Sequence, residues 1–132
     1  MNTTQSDSLT LQPFRHSPQI LLSGDNARTA LILRQALAGE GFCVELAAGY
    51  HELEDLWQQH RHPMVLLEVS GPQAVEPAVH TALRLKYQDP QQFVGYIADP
   101  VLQASGLAGD GIFPRASDKL TRALKRHFGQ QA

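Results

Sequence analysis

The sequence predicts a doubly wound α/β domain: a five-stranded parallel sheet covered by helices on both faces. Three observations carry that expectation. From about residue 18 onward, apolar runs of strand length alternate with amphipathic helical patterns, and parallel neighbours need crossover connections of this kind. Two of the runs, QILLS (19–23) and MVLLEV (64–69), are apolar almost throughout rather than at every second position, as strands covered on both sides are. A chain of 132 residues with 42% hydrophobic content can build one ordinary core, so one domain is the economical reading.

Each element follows from a local signal. Residues 1–17 (MNTTQSDSLTLQPFRHS) are rich in Ser, Thr, Gln, Asp and Pro without helical or strand period and read as a flexible leader, which leaves the folded domain at 18–129. After QILLS, a Gly-Asp-Asn turn offers Asp25 or Asn26 as the cap of a helix over 27–39. Ala27, Ala30, Leu31, Leu33, Leu37 and Ala38 give that helix its apolar side, and Gly39 and Gly41 end it. FCVELA (42–47) is the second strand. YHELEDLWQQH (50–60) is the second helix, with Leu53, Leu56 and Trp57 inward at i, i+3 and i+4.

Pro63 opens the third strand, MVLLEV. A weaker helix over 74–88 follows, in which Pro77 is tolerable only in the first turn. QFVGYI (92–97) is the fourth strand, residues 99–110 hold at most a turn or two of helix, GIFP (111–114) is a short fifth strand, and DKLTRALKRHF (118–128) is the last helix. Lys119, Arg122, Lys125 and Arg126 give that helix a basic outer side, for which a solvated face is the default and an acidic partner the alternative.

Composition excludes several classes. Eleven basic against thirteen acidic residues give a formal charge of −2, without the basic excess that binds a nucleic-acid backbone or an anionic membrane. The single cysteine, Cys43, rules out an intramolecular disulfide and fits a reduced cytoplasmic setting as a core residue. The first residues lack the pattern of a secretory signal, and no window approaches the roughly 18 consecutive apolar residues of a membrane span. There is no glycine-rich phosphate loop. Ser70-Gly71-Pro72 lacks the glycines of a nucleophile elbow, and His60-Arg61-His62, without a Cys or acid cluster, reads as a solvated turn rather than a metal site.

In an open parallel sheet, sites form at the carboxyl ends of the strands. Here those ends are Ser23-Gly24-Asp25-Asn26, Glu68-Val69-Ser70-Gly71-Pro72, Ala98-Asp99-Pro100 and Pro114-Arg115, so Asp25 and Glu68 should converge with Arg115 nearby. Over residues 18–128 this pattern resembles the receiver domain of two-component response regulators. ILLSGDN through GEGF matches the family's first strand and helix, with Gly41-Phe42 at its spacing, and VLLEVSGP stands in register with the acceptor strand and its proline. The resemblance implies a receiver-like, flavodoxin-like fold with strand order 2-1-3-4-5, here with a shortened fourth helix.

The departures decide what function the resemblance implies. Family members carry an acidic pair after strand one, an acceptor Asp after strand three, a Ser or Thr after strand four and a Lys after strand five. At those positions this chain has Gly24 before Asp25, then Glu68, Ala98 and Arg115, and Ile112 stands where a switching aromatic is common. A receiver's Asp attacks phosphorus in line while a divalent cation neutralises the phosphoryl charge. Glu68 bears its carboxylate one methylene further out, and a misplacement of about 1 Å costs roughly a hundredfold in rate. Gly24 leaves Asp25 as the one candidate magnesium ligand, which predicts weak affinity and no required cofactor. Ala98 removes the hydroxyl that follows the phosphoryl oxygen. Arg115 keeps the cation, and its fork suits a bidentate ion pair with Glu68.

The implied function is a degenerate receiver, a pseudo-receiver that is not an enzyme. It would act by protein–protein interaction with another signalling or regulatory protein in a bacterial two-component, phosphorelay or transcription-control pathway. The expected surface surrounds the fourth helix, strand five and the last helix, a face through which two copies would pair. Glu68 is either a built-in mimic of the phosphorylated acid or a drifted, solvated strand-end residue in a degenerate site. A receiver still phosphorylated on Glu68 or elsewhere, and a flavodoxin-like binder of a small ligand, are the other readings the residues leave open.

Overall fold

The structure, a computed structural model, describes residues 19–99 and 110–131. The expected leader and the segment expected to hold a shortened fourth helix fall outside the described residues. Strands β1 (Ile20–Gly24), β2 (Val44–Leu46), β3 (Met64–Glu68), β4 (Phe93–Ile97) and β5 (Gly111–Phe113) alternate with helices α1 (Ala27–Gly39), α2 (Tyr50–His60), α3 (Val75–Gln88) and α4 (Ser117–Gln131), and a 3-10 turn at Pro72–Ala74 leads into α3. All strand pairs are parallel, in the order β2-β1-β3-β4-β5. This is the predicted order 2-1-3-4-5.

Strand alternation sends successive side chains into two cores. Leu21, Val65, Leu67, Val94 and Tyr96 face α2 and α3, where Leu53, Trp57, Ala78 and Leu85 meet them. Ile20, Leu22, Met64, Leu66 and Ile97 face α1 and α4, where Leu33, Leu37, Leu120 and Leu124 meet them. β1 and β3 are buried at every position, which is why their sequences show no polar alternation. Each large apolar side chain so buried contributes about 1.5–3 kcal/mol relative to exposure.

The helix ends show local chemistry at work. Asn26, not Asp25, caps α1: its Oδ1 accepts from the amides of Arg28 and Thr29, each at 3.1 Å. Beyond its other end, Gly41 adopts φ 98°, and the amide of Phe42 returns to the carbonyl of Leu37 at 3.1 Å. α2 ends on Arg61 in the left-handed region (φ 49°), with its guanidinium 4.2 Å from the centroid of the Trp57 ring. Pro77 lies in the first turn of α3, where its missing amide costs nothing.

Some single residues fall differently from their sequence patterns. Leu31 and Leu83 are exposed, because α1 buries only the row Ala30, Leu33, Leu37 and α3 the row Ala78, Thr81, Ala82, Leu85. Cys43 is half-buried rather than core. His62 is not in a solvated turn: it is buried at the amino end of β3, with Nε2 2.7 Å from Oε1 of Glu45 on the edge strand. Buried Gln92 closes the same end, accepting from Nε1 of Trp57 at 2.8 Å and donating to the carbonyls of His62 and Phe93 at 3.0 Å each.

Replacing Gln92 with Leu would orphan the buried Trp57 indole N–H and two carbonyl contacts. An unpaired buried donor costs about 1–3 kcal/mol. Urea unfolding of Gln92→Leu, followed by fluorescence of the single tryptophan, should show a lower midpoint at unchanged slope; an unchanged midpoint would refute this role for Gln92.

Candidate functional site

The sheet register sets the site. Gly24 lies opposite Glu68, and Glu68 opposite Ile97, so the carboxyl ends of β1, β3 and β4 finish level. The ladder continues one residue further, from the Val69 amide to the Ile97 carbonyl (2.9 Å) and from the Ala98 amide to the Phe113 carbonyl (3.1 Å). The chain leaving β5 then brings Arg115 over the end of β3.

Glu68 is 0% exposed, not a solvated strand-end residue, because its strand is covered on both faces of the sheet. Its Oε2 accepts from Nη1 of Arg115, whose side chain is 23% exposed. The guanidinium does not grip Glu68 bidentately, as its fork would allow. Nη1 also reaches the Val69 carbonyl at 3.4 Å, and Nε stands 3.7 Å from Oδ1 of Asp99. One cation therefore serves two carboxylates and a carbonyl. The second oxygen of Glu68, Oε1, is buried without a hydrogen-bond partner among the described residues.

Gly24 explains where that oxygen fits. A Cβ built on Gly24 would clash with Oε1 of Glu68, and would stand 3.0 Å from its Cβ and 3.1 Å from its carbonyl oxygen. The absent side chain at 24 and the lengthened acid at 68 are thus two sides of one packing solution. Read as separate sequence positions, they look like two independent losses.

Asp25 is committed elsewhere. Its Oδ1 accepts from the amide of Ser70 at 3.0 Å and its Oδ2 from the Ser70 hydroxyl, which ties the loop after β3 to the end of β1. The donor set is a poor fit to magnesium, which requires near-ideal octahedral oxygen coordination. Gly24 offers no carboxylate, both oxygens of Asp25 hold Ser70, and Glu68 holds Arg115. No group of three His, Cys, Asp or Glu side chains among the described residues is arranged for a metal ion. Ala98 is buried within the α2/α3-side core and offers no hydroxyl to the site.

Tyr50, at the start of α2, completes the enclosure by donating its hydroxyl to the Glu68 carbonyl at 2.8 Å. Burial, with the charges of Asp25 and Glu68 and the neighbouring Tyr96, raises its pKa well above the usual phenol range and keeps it a donor. Glu68 is pulled both ways. Burial raises its pKa above the ordinary 4.5; the hydrogen bond and charge of Arg115 oppose that, Asp25 and Asp99 reinforce it, and the net direction is upward.

The structure therefore brings together Glu68, Arg115 and Gly24, sets Asp25 beside them through Ser70, and leaves Ala98 in the wall. Sequence reasoning missed Tyr50 and Ser70 as parts of the site. Tyr50 reads as an ordinary helix-start residue, and Ser70 matters through a bond to Asp25 across 45 residues that no local pattern signals.

Two measurements test this geometry. Gly24→Ala should push Glu68 off its seat and destabilise the fold by about 1–3 kcal/mol, as overpacking does, whereas the same change paired with Glu68→Ala should cost less than the sum of the two singles; strict additivity would refute the coupling. The second concerns pH. A folded-state acid with a raised pKa favours folding below its unfolded value of about 4.5 and loses that contribution as pH rises through its folded value. The stability of Glu68→Gln relative to wild type should therefore grow as pH rises above 4.5; a flat difference across that window would contradict the upward shift.

No protein-family model matches this sequence, and no curated protein does so. Solved structures do match. An orphan response regulator of H. pylori superposes with TM-score 0.63 at 17% identity, over 89% of this chain and 99% of that one. The chemotaxis protein CheY4 of Vibrio cholerae gives 0.61 at 18% identity, over 83% and 97%. A cobalamin-binding protein of Desulfitobacterium hafniense gives 0.64 at 17% identity, over 83% of this chain and 58% of that one. Together with the strand order, these likenesses establish that the chain has a CheY-like, flavodoxin-like fold.

Proposed function

We propose that this chain is a phosphorylation-independent receiver-like signalling domain that acts by binding another regulatory protein. The observation that carries this reading is the buried Glu68–Arg115 pair seated on Gly24. In a receiver, phosphorylation adds negative charge beyond the acceptor strand and a cation after strand five responds to it. Here a carboxylate already occupies that region and a guanidinium already holds it, so the contact is part of the folded state rather than a consequence of modification.

The surrounding residues support the same conclusion. An acceptor must present its oxygen to an incoming phosphorus in line. Glu68 is fully buried, with one oxygen in an ion pair and the other against Gly24. Asp25 is occupied by Ser70, which argues against a magnesium cofactor. Ala98 cannot follow a phosphoryl group with a hydroxyl. The domain is thus read as a non-enzyme with a preset surface around strand β5 and the last helix, working in a two-component or transcription-control pathway of a bacterial cytoplasm. No helix among the described residues is long and apolar enough to cross a membrane.

Incubation of the full chain with acetyl phosphate and magnesium should leave its intact mass unchanged; a stable phosphoryl adduct would overturn the proposal in favour of an active receiver. Partner capture then tests Glu68 itself. Glu68→Gln and Glu68→Ala, both confirmed folded, should bind the captured partner at least tenfold more weakly than wild type. Equal affinity in all three proteins would reduce Glu68 to a relic.

A further inference from the structure

Charge is segregated across the sheet. α1 and α4, on one face, carry Arg28, Arg34, Lys119, Arg122, Lys125 and Arg126 against a single carboxylate, Asp118. α2 and α3, on the other, carry Glu52, Glu54, Asp55 and Glu76 against Arg84 and Lys86. Bridges take up part of each set: Arg122–Asp118 at 3.8 Å, Lys125–Glu40 at 3.0 Å, Arg84–Glu54 at 2.9 Å and Lys86–Asp110 at 2.7 Å. On the basic face this leaves Arg28, Lys119 and Arg126 exposed, with no ion-pair partner among the described residues. On the acidic face Glu52 and Asp55 are left exposed in the same way, and Glu76 has only His80 at 4.0 Å.

Exposed apolar side chains follow the same division. Among the described residues the large ones are Leu31 (41% exposed) and Ile32 (55%) on α1, and Leu83 (57%) and Tyr87 (90%) on α3. Each face therefore pairs a few exposed apolar side chains with unpaired charges of one sign. Their shapes also differ. Ile32, Ala36 and Glu40 form one row along α1, and beyond Ile32 this row walls a groove of about 520 Å³ between α1 and α4, with Asp118, Thr121, Arg122 and Lys125 opposite. Tyr87, on the last turn of α3, is a protruding aromatic with an apolar body and a polar tip, the kind of side chain that anchors interfaces.

We propose that the domain associates head-to-tail with a second copy of itself, the acidic α2/α3 face of one copy against the basic α1/α4 face of the next, with Tyr87 seated in the α1–α4 groove. Like faces repel, so a two-fold pairing of either face with itself is disfavoured. Unlike faces attract, and because the two patches lie on opposite sides of the sheet, the contact is heterologous and does not close at a dimer. A nucleic acid is the poorer occupant of the basic face. The chain carries a net charge of −2, and Leu31 and Ile32 give a phosphate backbone nothing to bind.

Sedimentation velocity of the full chain tests the proposal. The weight-average coefficient should rise with concentration without levelling at a dimer, and should fall back in about 1 M salt, where the Debye length is near 3 Å. Arg28→Glu/Lys119→Glu/Arg126→Glu loses one face and Tyr87→Lys the other, so each should stay monomeric alone. Mixed, they retain one good face each and should form a 1:1 dimer that grows no further. Circular dichroism confirms that both variants are folded. A wild type that stays monomeric, a closed dimer indifferent to salt, a mixture that does not pair, or capture of a short DNA duplex in place of self-association would each overturn it.

Discussion

A fully buried carboxylate at the end of the central strand needs a cation and it needs space, and the upper end of this sheet is organised around both needs. Glu68 receives the cation from Arg115, carried there by the chain after β5, and receives the space from Gly24, directly opposite on β1. Removing an ion from water costs several kcal/mol, which attraction returns only where geometry and hydrogen bonding are good. Here only one oxygen of Glu68 is hydrogen-bonded. The arrangement is therefore a poor source of stability.

The parallel register turns this local arrangement into a property of the whole domain. β1, β3 and β4 end level, so Asp25, Ser70, Glu68, Asp99 and Arg115 meet within one small region although they come from four separate loops. Tyr50 adds a fifth segment through the Glu68 carbonyl. At the opposite end of the sheet, Gln92, Trp57, His62 and Glu45 form a second polar cluster that closes the core where the strands begin. One end of the sheet thus carries polar groups that complete the fold, and the other carries an ion pair in the place where receivers are modified.

The fold was largely legible because its signals are local and repeated. Continuous apolar runs marked β1 and β3 as central strands, and the period of Leu53 and Trp57, or of Leu120 and Leu124, marked helical core faces. Leu31 and Leu83 show the limit of that reading. Both fit an apolar helical stripe, yet both are exposed, because how wide a stripe is buried depends on the neighbour that covers it. His62 shows the converse: polar flanks suggested solvent, and the turn into β3 carries it inward against Glu45.

By itself the sequence determined the element order, the parallel sheet, the strand-end location of Gly24, Asp25, Glu68, Ala98 and Arg115, and the departure of those residues from a phosphorylatable pattern. These follow from periodicity, turn residues and the chemistry of single side chains. Only the tertiary structure decided that Asn26 caps α1 while Asp25 binds Ser70, that Arg115 shares itself between Glu68 and Asp99, and that Gly24 gives Glu68 its seat. Each of these is a contact between residues far apart in the chain, or a choice between two adjacent side chains able to do the same work. Spacing along a sequence does not encode which oxygen a distant donor will reach; the register of the sheet and the path of the loops above it do.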